Sequence, residues 1–207
     1  MRLEQQNTIR SNKIITSIIL NDNLMVDVYY HDNKLYIECD LLIECYVSGN
    51  TLFIQTMSEF RKCFSCVKLP FCSLDKYSRQ WAISATLSIG NISIPLSGSL
   101  AFNIPLGVDI ISNVLIVEVL LSGVLTITNI TTKKVMLFTH NSGKVQFFNS
   151  FVDELEVVHR GSNDITAPNV REKAVVSISG DGNVLCKISP TCAFCSATAG
   201  TGNVKLL

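Results

Sequence analysis

The chain has 207 residues, of which 47% are hydrophobic and 16% charged, and its 17 basic and 17 acidic residues give a formal charge of zero. Soluble globular chains usually contain roughly 25% charged residues, so the low charge indicates that a large core or neighbouring subunits cover much of the surface. A chain without a basic face to neutralise phosphates is not expected to bind nucleic acid. Zero net charge also removes the electrostatic repulsion between copies, which favours self-association.

The N-terminal segment shows neither a conventional signal peptide nor a membrane anchor. Residues 1–13 are polar and are predicted to form a flexible arm. The apolar run that follows, Ile14–Leu20, is short, comes after a long polar start and has no small-residue cleavage site behind it. No apolar run approaches the ~20 residues of a membrane-spanning helix. We therefore expect no membrane insertion.

Residues 14–57 are predicted to form a small N-terminal β unit. Its strands alternate apolar and polar residues, and its turns are rich in Asn, Asp and Gly, which tolerate the left-handed backbone conformation. The predicted strands are Ile14–Leu20, Met25–Tyr30, Leu35–Val47 and Thr51–Met57. Residues 58–81, with three cysteines and the only tryptophan, break this pattern and are predicted to connect the unit to a main β domain at 82–195.

The main domain is predicted to begin with a series of antiparallel strands joined by tight turns. Apolar residues fall on odd numbers up to Ile89 and on even numbers from Ile92. A two-residue period that changes phase across Gly90-Asn91 is typical of a hairpin turn between half-buried strands. The predicted strands are Ile83–Ile89, Ile92–Leu96, Ser99–Ile104, Val114–Leu121, Val124–Thr128, Lys134–Thr139 and Lys144–Phe148.

The last part of the chain is predicted to contain one more strand, a polar loop, a hairpin and a tail at 196–207. The strand is Phe151–Val158, and the hairpin joins Ala174–Ser179 to Asn183–Ile188 through the turn at 180–182. This hairpin resembles an earlier one in spacing, which suggests either a duplication or shared turn chemistry. The matching positions are Lys134, Gly143 and Val145 against Lys173, Gly182 and Val184.

These patterns predict an all-β fold. Helical periodicity is almost absent, and short turns separate most of the strands. We expect an antiparallel β-sandwich, jelly-roll-like, with short hairpin turns.

The cysteines are the most unusual chemical feature of the sequence. Six of the eight form two clusters with near mirror-image spacing: Cys63, Cys66 and Cys72, and then Cys186, Cys192 and Cys195. Two C-x-x-C pairs can supply four thiolates to a zinc ion, although the pairs are far apart and lack the glycine-rich knuckle of zinc ribbons. Disulfides within or between subunits are a second interpretation, and inert buried thiols a third. Zinc is thus a possible cofactor, and no other cofactor is expected.

Catalysis is not expected from this sequence. The three histidines, His31, His140 and His159, lie in or next to predicted turns, and none belongs to a recognisable nucleophile motif. No phosphate-binding loop, dinucleotide fingerprint or metalloprotease helix is present. Three acidic residues of one strand, Glu38, Asp40 and Glu44, share a face and are interpreted as its solvent side, although calcium binding is an alternative.

The sequence therefore favours a structural or assembly protein over an enzyme. We expect a β-sandwich subunit that associates with copies of itself through its strand edges, and other structural proteins are further candidate partners. The expected setting is a virion capsid, tail or fibre, or an extracellular or surface assembly reached without a conventional signal peptide. The alternatives are a spore- or cell-surface appendage subunit cross-linked by disulfides, and a ligand-binding module.

Overall fold

A computed structural model describes residues 7–56 and 78–207, and every regular element in these residues is a β-strand. The first strands are β1 (Asn7–Leu20), β2 (Met25–His31), β3 (Lys34–Ser48), β4 (Thr51–Thr56), β5 (Ser78–Ile94), β6 (Ser99–Asn103), β7 (Ile111–Val119) and β8 (Val124–Thr128). The others are β9 (Thr131–Asn141), β10 (Lys144–Phe148), β11 (Phe151–Gly161), β12 (Ile165–Thr166), β13 (Asn169–Ile178), β14 (Val184–Cys186), β15 (Ala193–Thr198) and β16 (Val204–Leu206). The all-β prediction is confirmed.

Alternating burial explains why these segments are strands. In β8, for example, Leu125 and Ile127 are buried while the residues between and beside them are half-buried. Successive side chains of a strand point to opposite faces, so such a segment places one face against the core. For β8 and β10 the observed bounds are the same as the bounds predicted from the sequence.

The C-terminal half of the chain winds as a coil in which each turn contributes one long and one short strand. Among the long strands, Val114 pairs with Lys134, Lys134 with Glu154, Glu154 with Lys173, and Lys173 with Ala193, all in parallel. Each turn of the coil therefore takes 19 or 20 residues. The short strands β8, β10, β12, β14 and β16 form the opposite wall, also by parallel pairing.

The inward-facing side chains stack in columns and form one continuous core. One column consists of Leu115, Val135, Leu155 and Ala174, each paired with the next. All four are at most 2% exposed. The mixed, mostly parallel sheet is curved around this core as a nearly closed, barrel-shaped wall.

The N-terminal part closes this wall through β3. Of the strand pairings in residues 7–56 and 78–207, three are antiparallel, and all three involve β3, which pairs with β2, β4 and β5. Because β2 belongs to one wall and β5 to the other, β3 joins the two walls at this end of the molecule. Trp81 is fixed here by its indole N–H, which donates to the Ile43 carbonyl at 3.1 Å.

The prediction of an antiparallel, jelly-roll-like sandwich is wrong, because most of the strand segments were located but their pairing partners and directions were not. Consecutive strands of the coil lie on opposite walls and pair with strands one turn away. The segment Gly90-Asn91 is not a hairpin turn: it lies inside β5, where the register with both neighbouring strands shifts. This irregularity in a continuous strand produces the phase change between Ile89 and Ile92.

The predicted hairpin around residues 180–182 is also a corner of the coil. Strand β13 pairs with β11 and β15, whereas β14 pairs with β12 and β16. Gly180 is required at this corner because a Cβ atom there would collide with the carbonyl oxygen of Gly161, one turn earlier. A glycine is therefore needed at position 180 because successive corners of the coil stack closely, and not because the chain forms a hairpin there.

The predicted domain limits stay predictions, although the structure places several of their residues. Strand β1 includes residues 7–13 of the predicted arm, β5 includes residues 78–81 of the predicted connection, and β16 lies in the predicted tail. One cluster of buried apolar side chains extends from Ile15 to Cys186 and so includes residues on both sides of the predicted connection.

Candidate functional site: the open end of the coil

The C-terminal end of the coil exposes two strand edges. Within the described residues, β15 and β16 are the two terminal strands of the sheet order, and every other strand has a neighbour on both sides. Both strands belong to the last turn of the coil, so their free edges lie at the same end of the molecule. Unpaired N–H and C=O groups along a strand edge can accept another strand.

The side chains at this open end are apolar or uncharged with one exception, Lys205. Phe194 continues the inward-facing column of Ala174, and Leu206 continues that of Cys186, yet these two are 36% and 52% exposed. Lys205 is the only charged residue from 192 to 207. Natural edge strands are often protected by charges or proline, and β15 contains neither.

The structure brings the second cysteine cluster to the same end. Cys186 is buried in β14, Cys192 is half-buried in the turn before β15, and Cys195 is exposed on β15. All three are free thiols, and no cluster of metal-binding side chains occurs in residues 7–56 and 78–207. Zinc binding and disulfide formation by this cluster stay predictions. The first cluster, Cys63, Cys66 and Cys72, lies outside the described residues.

Burial makes the inner thiols poorly reactive. Desolvation, with a smaller contribution from neighbouring Cys192, raises the pKa of Cys186 to about 11. Desolvation also raises the pKa of Cys192, which donates weakly to the Ala193 carbonyl at 3.7 Å. Because the thiolate is the reactive form, both thiols are weak nucleophiles at neutral pH.

His159 was placed by the sequence next to a turn, but its side chain is completely buried. Its Nδ1 atom lies 2.6 Å from the Thr139 hydroxyl of the preceding turn, and its Nε2 atom has no hydrogen-bond partner among the described residues. Desolvation is the main cause that lowers its pKa. The sequence could have indicated the face of the strand on which His159 lies, because His159 is two residues from the apolar Val157 and alternate residues of a strand share a face.

A polar groove runs along one corner of the coil. It has a volume of about 190 Å³ and carries four charged side chains, Asp109, Lys133, Asp153 and Arg171. The Arg171 guanidinium lies 3.4 Å from the Asp153 carboxylate and 5.6 Å from the centre of the Phe151 ring. Balanced charges and an adjacent aromatic ring make this groove a candidate for a polar ligand.

The acidic face predicted on the third strand is partly described. Glu38 is exposed and accepts a hydrogen bond from the Gln80 amide at 3.3 Å, while Glu44 is half-buried. The side chain of Asp40 is outside the described part of the structure. At an exposed turn, the His31 Nδ1 atom lies 3.0 Å from the Asp32 carboxylate.

Comparison with known proteins identifies a shared fold. No protein-family model and no curated protein matches the chain. A crystal structure described as a putative adhesin from Bacteroides fragilis is similar to this chain, with a TM-score of 0.60 and 19% sequence identity. The similarity covers 95% of this chain and 94% of that chain. No helix in the described residues is long and apolar enough to cross a membrane. The chain thus has the all-β, mostly parallel fold of that protein.

Proposed function

We propose that this protein is a structural subunit that associates with copies of itself and is displayed at a surface, where it acts in adhesion or assembly. The observation that carries the proposal is the open end of the coil, where two free strand edges with a single charged residue, Lys205, and exposed apolar side chains lie together. A surface of this kind favours association with another strand. The adhesin description of the structure with the same fold supports the surface setting.

The same proposal includes the two settings expected from the sequence, a virion component and a cell-surface appendage. A coil of stacked strands buries a continuous core with few charged residues and presents long, regular faces. It has no need of a reactive cleft, so we do not propose an enzymatic activity. Antibody labelling of intact cells and of purified particles from the same culture distinguishes the two settings.

Sedimentation velocity over a wide range of protein concentration tests the self-association. We expect reversible oligomers whose population increases with concentration, in reducing buffer as well as without reductant. Negative-stain microscopy of the same samples would reveal the shape of the oligomer. A chain that stays monomeric at about 1 mM, where only dissociation constants weaker than that value would be missed, would contradict the proposal.

Ligand binding in the polar groove is a second candidate function. It is favoured by the Arg171–Phe151 contact and by the charged side chains of the groove. Screening the chain against an array of oligosaccharides, together with the Arg171→Ala variant, tests it. Binding to a defined sugar that is lost in the variant is the expected result, and equal signals from both proteins would contradict it.

A further inference from the structure

We propose that two copies of this chain join C-terminal end to C-terminal end, with β15 of one copy pairing antiparallel with β15 of the other. The inference rests on the proposed self-association and names the surface and the symmetry that produce it. The joint would extend the sheet and the core of each copy into those of the second.

The directions of the backbone groups show which atoms of β15 are available. The Ala199 N–H donates to the Ile178 carbonyl at 2.8 Å, on the side of β13. Backbone groups of successive strand residues point to opposite edges. The N–H and C=O groups of Phe194, Ser196 and Thr198 therefore point to the free edge.

The partner edge on a second copy has to be at the same end. Each strand from β1 to β14 has a neighbour on both sides over at least part of its length, and β3 closes the opposite end of the molecule. A head-to-tail stack would have to use residues 7–15 of β1, whose strand partner among the described residues is β5 alone. This stretch carries Arg10 and Lys13, charges of the kind that protect a strand edge from pairing. Two identical ends related by a two-fold axis pair their equivalent strands antiparallel and form a closed dimer.

Strand length favours pairing of β15 with β15 over pairing of β15 with β16. Both strands have six residues in the first case, whereas β16 has only three, so fewer backbone N–H and C=O groups of β15 are left without a partner. Placing Ser196 opposite Ser196 of the second copy, with Phe194 opposite Thr198, satisfies all the edge-directed groups of the three residues. Cys195 then lies opposite Ala197 at a position without direct hydrogen bonds, where Cα atoms approach to ~4.5 Å.

The side chains and charges agree with this joint. Phe194 and Leu206 face the interior side of the last turn, so contact with the second copy removes their exposed area from water. No charged residue occurs from 192 to 204. The two ends can approach along β15 without the like-charge repulsion that normally protects strand edges.

The first experiment removes one edge-directed donor without disturbing the internal pairing. In Ser196→Pro the lost N–H is one that points to solvent, a position where edge strands tolerate proline. Ser196→Ala keeps the N–H and is the matched control. Sedimentation equilibrium of the full chain should show a dimer for the native chain and for Ser196→Ala. For Ser196→Pro we expect a dissociation constant at least about tenfold higher, since both copies lose a hydrogen bond at the axis.

The second experiment tests the register. Ala197→Cys places a thiol opposite Cys195 of the second copy, within the Cα separation of ~4.4–6.8 Å that disulfides require. Diamide accepts two electrons and two protons from each thiol pair, so oxidation should produce a covalent dimer on a non-reducing gel. In this register the residue at position 193 is not opposite Cys195 of the second copy, so Ala193→Cys should cross-link no more than the native chain.

The outcomes separate this inference from the proposed function. Circular dichroism and thermal unfolding first establish that each variant is folded. If folded Ser196→Pro has the same dissociation constant as the native chain, or if the native chain forms open-ended filaments, the end-to-end joint is wrong while self-association stands. Equal cross-linking of the two cysteine variants would also overturn the register. A native chain that is monomeric at every concentration would overturn both proposals.

Discussion

The N-terminal and C-terminal parts of this molecule use the same kind of strand in different ways. From β7 onward the described strands pair in parallel with strands one turn away, and the coil ends in two free edges. In the N-terminal part, β3 pairs antiparallel with three strands and joins the two walls. One end is thus closed by a strand of its own chain, and the other presents edges for a partner.

This difference shows that the direction of strand pairing depends on the loops and strands that connect two paired strands, as much as on the paired strands themselves. A two-residue loop between β2 and β3 makes an antiparallel hairpin, with Asp32 and Asn33 at φ 48° and 58°. In the coil, a strand on the opposite wall serves as the crossover that parallel pairing requires. Each turn of the coil then contacts mainly its two neighbours, as in other repeat folds, whereas β3 connects distant parts of the chain.

The largest effect is expected from a cavity in the coil. Leu137 is completely buried between Val117 and Val157 of adjacent turns, so Leu137→Ala should lower the free energy of unfolding by about 3 kcal/mol. Native-state hydrogen exchange should show faster opening of β7, β9 and β11, with β3 less affected. The outward-facing neighbour provides the control: Met136→Ala should cost less than about 1 kcal/mol. An equal increase in the hydrogen-exchange rates of β3 and of the coil strands would contradict the distinction between the two parts.

A second prediction compares two glycines, one in each part. In Gly180→Ala the new Cβ atom would collide with the Gly161 carbonyl, and backbone must shift, so we expect a loss of about 2–3 kcal/mol. Gly49, in the hairpin between β3 and β4, has φ +60° and open space around it. Gly49→Ala should therefore cost only the left-handed conformation, about 1 kcal/mol. Chemical denaturation measures both, and equal losses would mean that corner stacking does not constrain the coil.

The corners of the coil also contain an asparagine pair that sharpens this comparison. The Asn149 amide donates to the Asn129 side-chain oxygen at 2.8 Å, and both residues have positive φ. Asn149→Ala removes the hydrogen bond and strains the backbone, for a loss of about 2 kcal/mol. Asn149→Gly keeps the conformation available and should lose about 1 kcal/mol. Thermal unfolding that ranks the two variants in the reverse order would contradict this account.

The smallest effect is a pH dependence that originates in the coil. Burial lowers the pKa of His159 in the folded state, so the unfolded chain binds the proton more readily. The contribution of His159 to stability is therefore complete above pH 6.5, its ordinary pKa, and decreases as the pH falls towards the folded pKa. Denaturation between pH 7.5 and about 5 should show this decrease in the native chain and in the exposed-site control His31→Gln. In His159→Gln the His159 contribution to the slope should disappear; an unchanged slope would assign the pH dependence to other groups.

Much of the candidate site could be located from the sequence, but its meaning could not. The second cysteine cluster drew attention to the C-terminal end. The sequence predicted a tail there, whereas the structure pairs Val204–Leu206 with β14 and leaves the opposite edge free. Only the position of this strand as the last one in the sheet makes its edge available. The similarity of Lys134 and Lys173 was likewise visible, but the true repeat is one turn, with Glu154 between them.

The sequence by itself determined where most of the strands of the coil lie and which side of each faces the core, because alternation of apolar and polar residues is a local property of the chain. It missed β12, β15, β16 and the first residues of β1. It correctly bounded β8 and β10 and predicted an all-β protein. Only the tertiary structure decided which strands pair and in which direction, because backbone hydrogen bonds are the same for every sequence. A left-handed Asn or Gly fits a hairpin turn and a coil corner equally well, so the choice depends on what packs one turn away.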